Sequence, residues 1–379
     1  MAHWIDSDAK LIGMLDDLGS ATVLAVDTEF IRTNTFHPKI ALIQISNGSD
    51  CWLIDVLGIE NFEGLKALLE CPDKQLIFHA CAEDLEVLEY ALDITPTTIF
   101  DTQIAAGIAN IGYSMGYARL VKEVFDVELD KEETRSDWLV RPLTARQLEY
   151  AAADVFYLHK LHELLTASLK EQGREEWFEE ESLAVYAMVA GRKNSDDYYR
   201  RLKSAWKLDP AALKRLKRLC IWREKTARER NKPRGHIVKD SSLLEIARRQ
   251  PLALHQLTGI DDLHPGLIKR YGEDLLDQVS AANDDVNVDP LPQPLTKAEV
   301  IVLKAMRNAL ITVAEDTLIP QEFLFSKKDL EFILRGAIAG SEEWPQRFIT
   351  GWREPLVIPI LKNTLSERLS GLSRRLEST

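Results

Sequence analysis

The 379-residue chain has only four cysteines, Cys51, Cys71, Cys81 and Cys220. They form no C-x-x-C pair and no metal-ligand spacing, which excludes a cysteine-based metal site and argues against a disulfide framework. Three of them lie in apolar surroundings and read as small core residues. Long apolar runs are also missing, so no membrane-spanning segment is expected. The first residues carry Asp6, Asp8, Asp16 and Asp17 rather than a basic stretch leading into an apolar one. No signal peptide is therefore expected, and the expected location is the cytoplasm. An overall positive charge is lacking too. A net charge of −13 argues against a chain that coats nucleic acid along its whole length.

What remains is a composition of 45% hydrophobic and 28% charged residues, ordinary for a globular protein and long enough for two or three domains. The first part alternates short apolar strands with helices. Thr22 to Val26 is an apolar run ending at Asp27. Ile40–Ser46 and Cys51–Asp55 flank the turn signal Asn47-Gly48-Ser49-Asp50 and predict an antiparallel hairpin. Gln75–His79 and Thr98–Asp101 complete a mixed sheet of five strands covered by helices. Thr144-Ala145-Arg146-Gln147 predicts a capping box that opens a helix running to about Leu165. The acidic stretch from Glu171 to Glu181 reads as a solvated helix or connector. Beyond it no strand is expected. Pro290, Pro292 and Pro294 mark a linker within Ala281–Thr296. On its two sides Leu219, Trp222-Arg223, Pro233 and Leu243 are echoed by Leu303, Met306-Arg307, Pro320 and Leu330, as in a diverged repeat.

Three acidic signatures carry the chemistry: Asp27-Thr28-Glu29, then Asp84 within His79-Ala80-Cys81-Ala82-Glu83-Asp84-Leu85, then Tyr150 with Asp154. Residues two apart in a strand share a face, so Asp27 and Glu29 present both carboxylates together at the expected strand end. Residues four apart in a helix also share a face, which joins Tyr150 to Asp154. Taken singly, Asp84 reads as a residue favouring a helix dipole and Tyr150 as a packed aromatic. Four converging carboxylates repel one another unless divalent cations intervene. Mg²⁺ or Mn²⁺ suits an all-oxygen site. Two such ions roughly 4 Å apart would activate a water and stabilise a departing 3′-oxygen. Tyr150 would orient or help deprotonate that water.

In order and context these signatures resemble the Exo I, Exo II and Exo III motifs of the DEDD 3′→5′ exonucleases, and the tyrosine marks the DEDDy branch. Thr134-Arg135-Ser136-Asp137-Trp138, Arg141-Pro142-Leu143 and Tyr150-Ala151-Ala152-Ala153-Asp154 are similar to the third-motif region of the bacterial ribonuclease D family. The resemblance implies a ribonuclease H-like α/β exonuclease domain over residues 1–200, then two all-α HRDC-like domains over 205–283 and 295–379. It implies that Asp27, Glu29 and Asp154 hold one metal and that Asp27 and Asp84 place the second. It also implies stepwise release of nucleoside 5′-monophosphates from RNA 3′ ends, with precursor tRNA as substrate. His79 sits where a substrate contact often falls in such enzymes, and equally suits a satisfied buried histidine. Phe30 is placed to stack on the terminal nucleotide or to fill the core. Asp101-Thr102 reads as a strand end capping the next helix.

Basic residues crowd the segment between Arg200 and Lys239. Lys214, Arg215, Lys217 and Arg218 lie over the apolar stripe of Leu213, Leu216, Leu219 and Trp222, which predicts a phosphate-contacting surface, with Trp222 as a core anchor. Two alternatives share these residues: a DNA 3′→5′ exonuclease of the proofreading or Werner type, and a non-catalytic RNA-binding module. No protein partner is identifiable.

Overall fold

The computed structural model describes residues 2–130, 133, 136–191, 197–281 and 287–376; Thr134 and Arg135 of the third-motif region lie outside them. Two compact units emerge. One joins Met1–Phe30, Ile40–Ala187 and Leu295–Thr379, and the other joins Ile31–Lys39 to Met188–Pro294.

The first unit is built on six strands: β1 (Ala2–Ile5), β2 (Val23–Ile31), β3 (Lys39–Ser46), β4 (Cys51–Asp55), β5 (Gln75–Phe78) and β6 (Ile99–Asp101). Their order is β1-β4-β3-β2-β5-β6. The hairpin of β3 and β4 is antiparallel, with Ile43 opposite Ile54. The β1/β4, β2/β5 and β5/β6 pairs are parallel. The sheet is therefore mixed, but it has six strands where five were expected. The extra one, β1, is a four-residue edge strand in which only Ile5 is buried, too short to stand out by pattern.

Leu24, Ala25 and Val26 of β2 are fully buried, as expected for a strand covered on both faces. The strand does not stop at Asp27, however; it continues to Ile31. Register pairs Val23–Ala25 with Gln75–Ile77, and β5 ends at Phe78. Asp27 and Glu29 thus lie on the part of β2 that outruns its parallel neighbour, which leaves room beside them for groups from other elements.

Helices α1 (Asp8–Leu18), α2 (Glu63–Leu69), α3 (Ala82–Leu92), α4 (Thr102–Ile108) and α5 (Tyr117–Phe125) accompany the strands. The capping box opening α6 (Ala145–Phe156) is present, with both Thr144 and Gln147 engaged. The expected single helix to Leu165 is instead two, because α6 stops and α7 (Leu158–Gln172) begins after Tyr157. Leu158, Leu161, Leu165 and Leu169 then bury one face of α7.

The acidic stretch after α7 is not simply solvated. It forms α8 (Glu175–Gly191), whose Glu180 and Glu181 receive the guanidinium of the nearly fully buried Arg353. Arg353 also donates to the Phe323 carbonyl at 2.7 Å. Arg174 donates to the Ile108 and Thr317 carbonyls, each at 2.6 Å. A Cβ on Gly107 would stand only 2.5 Å from the Phe323 ring, so glycine there permits close approach. Through these contacts and a shared apolar core the C-terminal helices belong to the same unit as the sheet.

The second unit contains α9 (Pro210–Glu229), α10 (Arg234–Ile237), α11 (Asp240–Arg249), α12 (Leu254–Leu257) and α13 (Pro265–Ser280). Leu213, Leu216 and Leu219 sit in its core, and the Trp222 ring meets Tyr271 edge-on at 5.7 Å. The C-terminal segment consists of α14 (Lys297–Thr317), α15 (Gln321–Leu324), α16 (Lys327–Ile338), α17 (Gln346–Ile349) and α18 (Glu354–Leu376). Both series run long, one-turn, medium, one-turn, long. Pro233 and Pro320 each sit just before the first one-turn helix, which gives the sequence echo a physical basis in proline's fitness for a helix start. Among the described residues no helix is long and apolar enough to cross a membrane.

Candidate metal centre

Strand alternation puts Asp27 and Glu29 on one side of β2, and Asp154 joins them from the last turn of α6. One carboxylate oxygen from each lies within 4.8 Å of the others. Asp84 approaches from the first turn of α3 and is buried. Its Oδ1 accepts the Thr28 hydroxyl at 2.5 Å. Tyr150, one turn before Asp154, hydrogen-bonds to the Asp154 carboxylate. The Tyr150 ring tilts against the buried Trp138 at 6.0 Å.

The approach of Asp84 depends on a strained turn. After β5 the chain passes through Ala80 at φ 61°, a left-handed conformation that costs a non-glycine residue free energy unless its surroundings enforce it. Asp101 enforces it. Its carboxylate accepts the Ala80 and Cys81 amides at 3.0 and 2.9 Å and also caps α4 through the Gln103 amide at 2.8 Å. The expected helix cap is thus also the support of the second acidic motif.

Burial is the main force raising the pKa of each acid, and mutual repulsion adds to it for most. Asp27 is raised well above the usual range by burial and then by the Asp154 charge. Glu29 is pushed to about 10 by burial and by Asp27, Asp154 and Asp84. Asp84 is raised well above its ordinary value by burial and Asp27, with the Thr28 hydroxyl opposing. Asp154 is raised to about 7 by burial, with the Tyr150 hydrogen bond opposing. The charges that act most on the four acids are those of one another. The donor set is all carboxylate and crowded, which fits hard divalent cations.

His79 is fully engaged by the protein. Its Nδ1 meets the Thr102 hydroxyl and its Nε2 the Met115 carbonyl, both at 2.9 Å. Burial lowers its pKa, so it fits the satisfied-histidine reading. Phe30 is partly buried, directly after Glu29. The basic-surface expectation fails for two residues. Arg215 and Arg218 are each only 6% exposed and donate Nε to the Ala247 and Gln278 carbonyls at 2.9 Å. They tie α9 to α11 and α13 rather than line a surface, because these guanidiniums reach backbone acceptors inside the bundle. Lys214 and Lys217 are partly exposed, and Lys217 reaches the Asn287 carbonyl at 3.2 Å.

Comparison with known proteins identifies the family. The 3′-5′ exonuclease family matches residues 2–170 and the HRDC domain matches residues 212–279. Ribonuclease D of Pseudomonas paraeruginosa is 37% identical over 96% of this chain and 97% of its own length. Ribonuclease D of Escherichia coli is 34% identical over 96% of this chain and 98% of its own. The crystal structure of Escherichia coli RNase D, described as an exoribonuclease involved in structured RNA processing, matches with a TM-score of 0.83 at 33% identity. It covers 97% of this chain and 99% of that one. The chain belongs to the ribonuclease D family of divalent-metal-dependent 3′→5′ exoribonucleases.

Proposed function

We propose that the chain removes nucleotides one at a time from RNA 3′ ends, releasing nucleoside 5′-monophosphates, with precursor tRNA among its substrates. The observation that carries this reading is the convergence of Asp27, Glu29 and Asp154 within 4.8 Å. In this reading Asp27, Glu29 and Asp154 hold one divalent cation, and Asp27 with Asp84 holds a second, both Mg²⁺ or Mn²⁺. Bound there, the ions would lower the pKa of an attacking water and stabilise the leaving 3′-oxygen. Tyr150 orients that water through its hydroxyl, already directed at Asp154. Lys214 and Lys217 contribute phosphate contacts in the HRDC region, and 295–379 forms a second HRDC-like domain. In this reading the trimming takes place in the cytoplasm.

Matched RNA and DNA single strands test the substrate class, because the 2′-hydroxyl is their difference at each nucleotide. Faster trimming of RNA is expected; faster trimming of DNA would overturn the RNA assignment.

A further inference from the structure

The break between α6 and α7 has no local cause. The segment Asp154-Val155-Phe156-Tyr157-Leu158-His159-Lys160 holds neither glycine nor proline. Its apolar stripe of Ala151, Val155, Leu158, Leu161 and Leu165 runs through without a change of phase. In a continuous helix the Tyr157 amide would donate to the Ala153 carbonyl, four residues back. Here a side chain stands between them. The Tyr117 hydroxyl accepts the Tyr157 amide at 3.0 Å and donates to the Ala153 carbonyl at 2.9 Å. Insertion into the helical hydrogen-bond ladder is a recognised cause of a sharp helix break. Both groups the break would orphan are thereby satisfied.

The wedge falls beside the site. Ala153 precedes Asp154, and Tyr150 lies one turn before it. On the far side α7 is fixed by its buried leucines. The Tyr117 ring is itself held edge-on to His79 at 5.7 Å, and His79 is anchored to Thr102 and Met115. The junction of α6 and α7 is therefore spanned by one phenolic hydroxyl held by the structure around the second acidic motif.

We propose that Tyr117 is a positioning residue for the nuclease reaction: its hydroxyl, inserted between Ala153 and Tyr157, turns α6 so that Asp154 and Tyr150 face the metal-binding acids. This rests on Asp154 being a metal ligand. Tyr117→Phe keeps the ring and removes the wedge, allowing the Tyr157–Ala153 bond to re-form. The full-length variant is expected to lose about 10- to 100-fold in kcat, with KM for RNA within about twofold, as for a small displacement of a reacting constellation. Mn²⁺ titration by calorimetry without RNA should show affinity about tenfold weaker.

Wild-type kcat together with wild-type Mn²⁺ affinity in Tyr117→Phe would overturn the proposal. So would a rise in KM alone, which would place Tyr117 in RNA binding. Loss of the folded far-UV signal would also overturn it, because the hydroxyl would then be a general stability element. Asp154→Ala separates this proposal from the reading beneath it. Should Asp154→Ala keep wild-type Mn²⁺ binding, the metal assignment itself fails. Should it lose Mn²⁺ binding while Tyr117→Phe behaves as wild type, only the positioning role fails.

Discussion

Thr28 and Asp84 come from different acidic motifs, 56 residues apart, and are joined by a buried 2.5 Å hydrogen bond from hydroxyl to carboxylate. Removing the hydroxyl while keeping the shape, as in Thr28→Val, leaves the Asp84 carboxylate without its fixed donor. Calorimetric titration should then show Mn²⁺ binding weakened by about tenfold, the lower part of the range for loss of a ligand-orienting partner. Thr28→Ser should bind within about threefold of wild type. Equal defects in the two variants would show that the methyl group, not the hydroxyl, matters.

The raised pKa values of Glu29, about 10, and Asp154, about 7, give the metal-free protein a defined pH dependence. Both acids bind protons more tightly folded than unfolded. Their protonated forms therefore favour the native state below pH ~4, and that contribution is lost as pH rises through 7 and then toward 10. Divalent metal replaces the lost protons. Melting curves should show a Mg²⁺-induced gain in Tm that is larger at pH 8 than at pH 5.5. A gain independent of pH would contradict the crowded-acid site.

Tyr150→Phe removes the hydroxyl that meets Asp154 but no carboxylate. Its kcat on single-stranded RNA should fall by about 10²-fold, the lower end of general acid–base effects, while Mn²⁺ affinity changes by less than about threefold. Steady-state rates paired with metal titration would detect the opposite pattern, in which metal binding is lost and Tyr150 is a ligand support only.

On α9 the four basic neighbours should divide by burial. Replacing both Lys214 and Lys217 with glutamine should weaken RNA binding and flatten its salt dependence, by a slope of about two at most. Arg215→Ala or Arg218→Ala should lower Tm instead, by leaving the Ala247 or Gln278 carbonyl short of its donor, at about 1–3 kcal/mol each. Filter binding across a salt series and thermal melts distinguish the two effects.

Elements governed by local chemistry were legible in the sequence. The β3/β4 hairpin follows from its Asn-Gly turn, the α6 start from its capping box, and the likeness of the two helical series from the sequence echo. Periodicity pairs Asp27 with Glu29 and Tyr150 with Asp154, and the meeting of Asp27, Glu29 and Asp154 was implied by the resemblance of the motifs. What tertiary contacts impose was not legible. An aliphatic stripe continuous through Tyr157 predicts one helix, yet the Tyr117 hydroxyl, 40 residues away, sits in the gap that divides it. Arg215 and Arg218 look like surface charge by composition, yet backbone carbonyls of other helices draw them inward. The support that Asp101 gives to Ala80 was hidden behind its helix-capping role.

The most direct test is a time course on 5′-labelled single-stranded RNA, comparing the wild-type chain with Asp27→Ala in the presence and absence of Mg²⁺. The wild type with Mg²⁺ should give a ladder shortening from the 3′ end by one nucleotide per step; Asp27→Ala, and the wild type without metal, should leave the RNA intact. Unchanged trimming by Asp27→Ala would contradict the assignment of the clustered acids as the metal site.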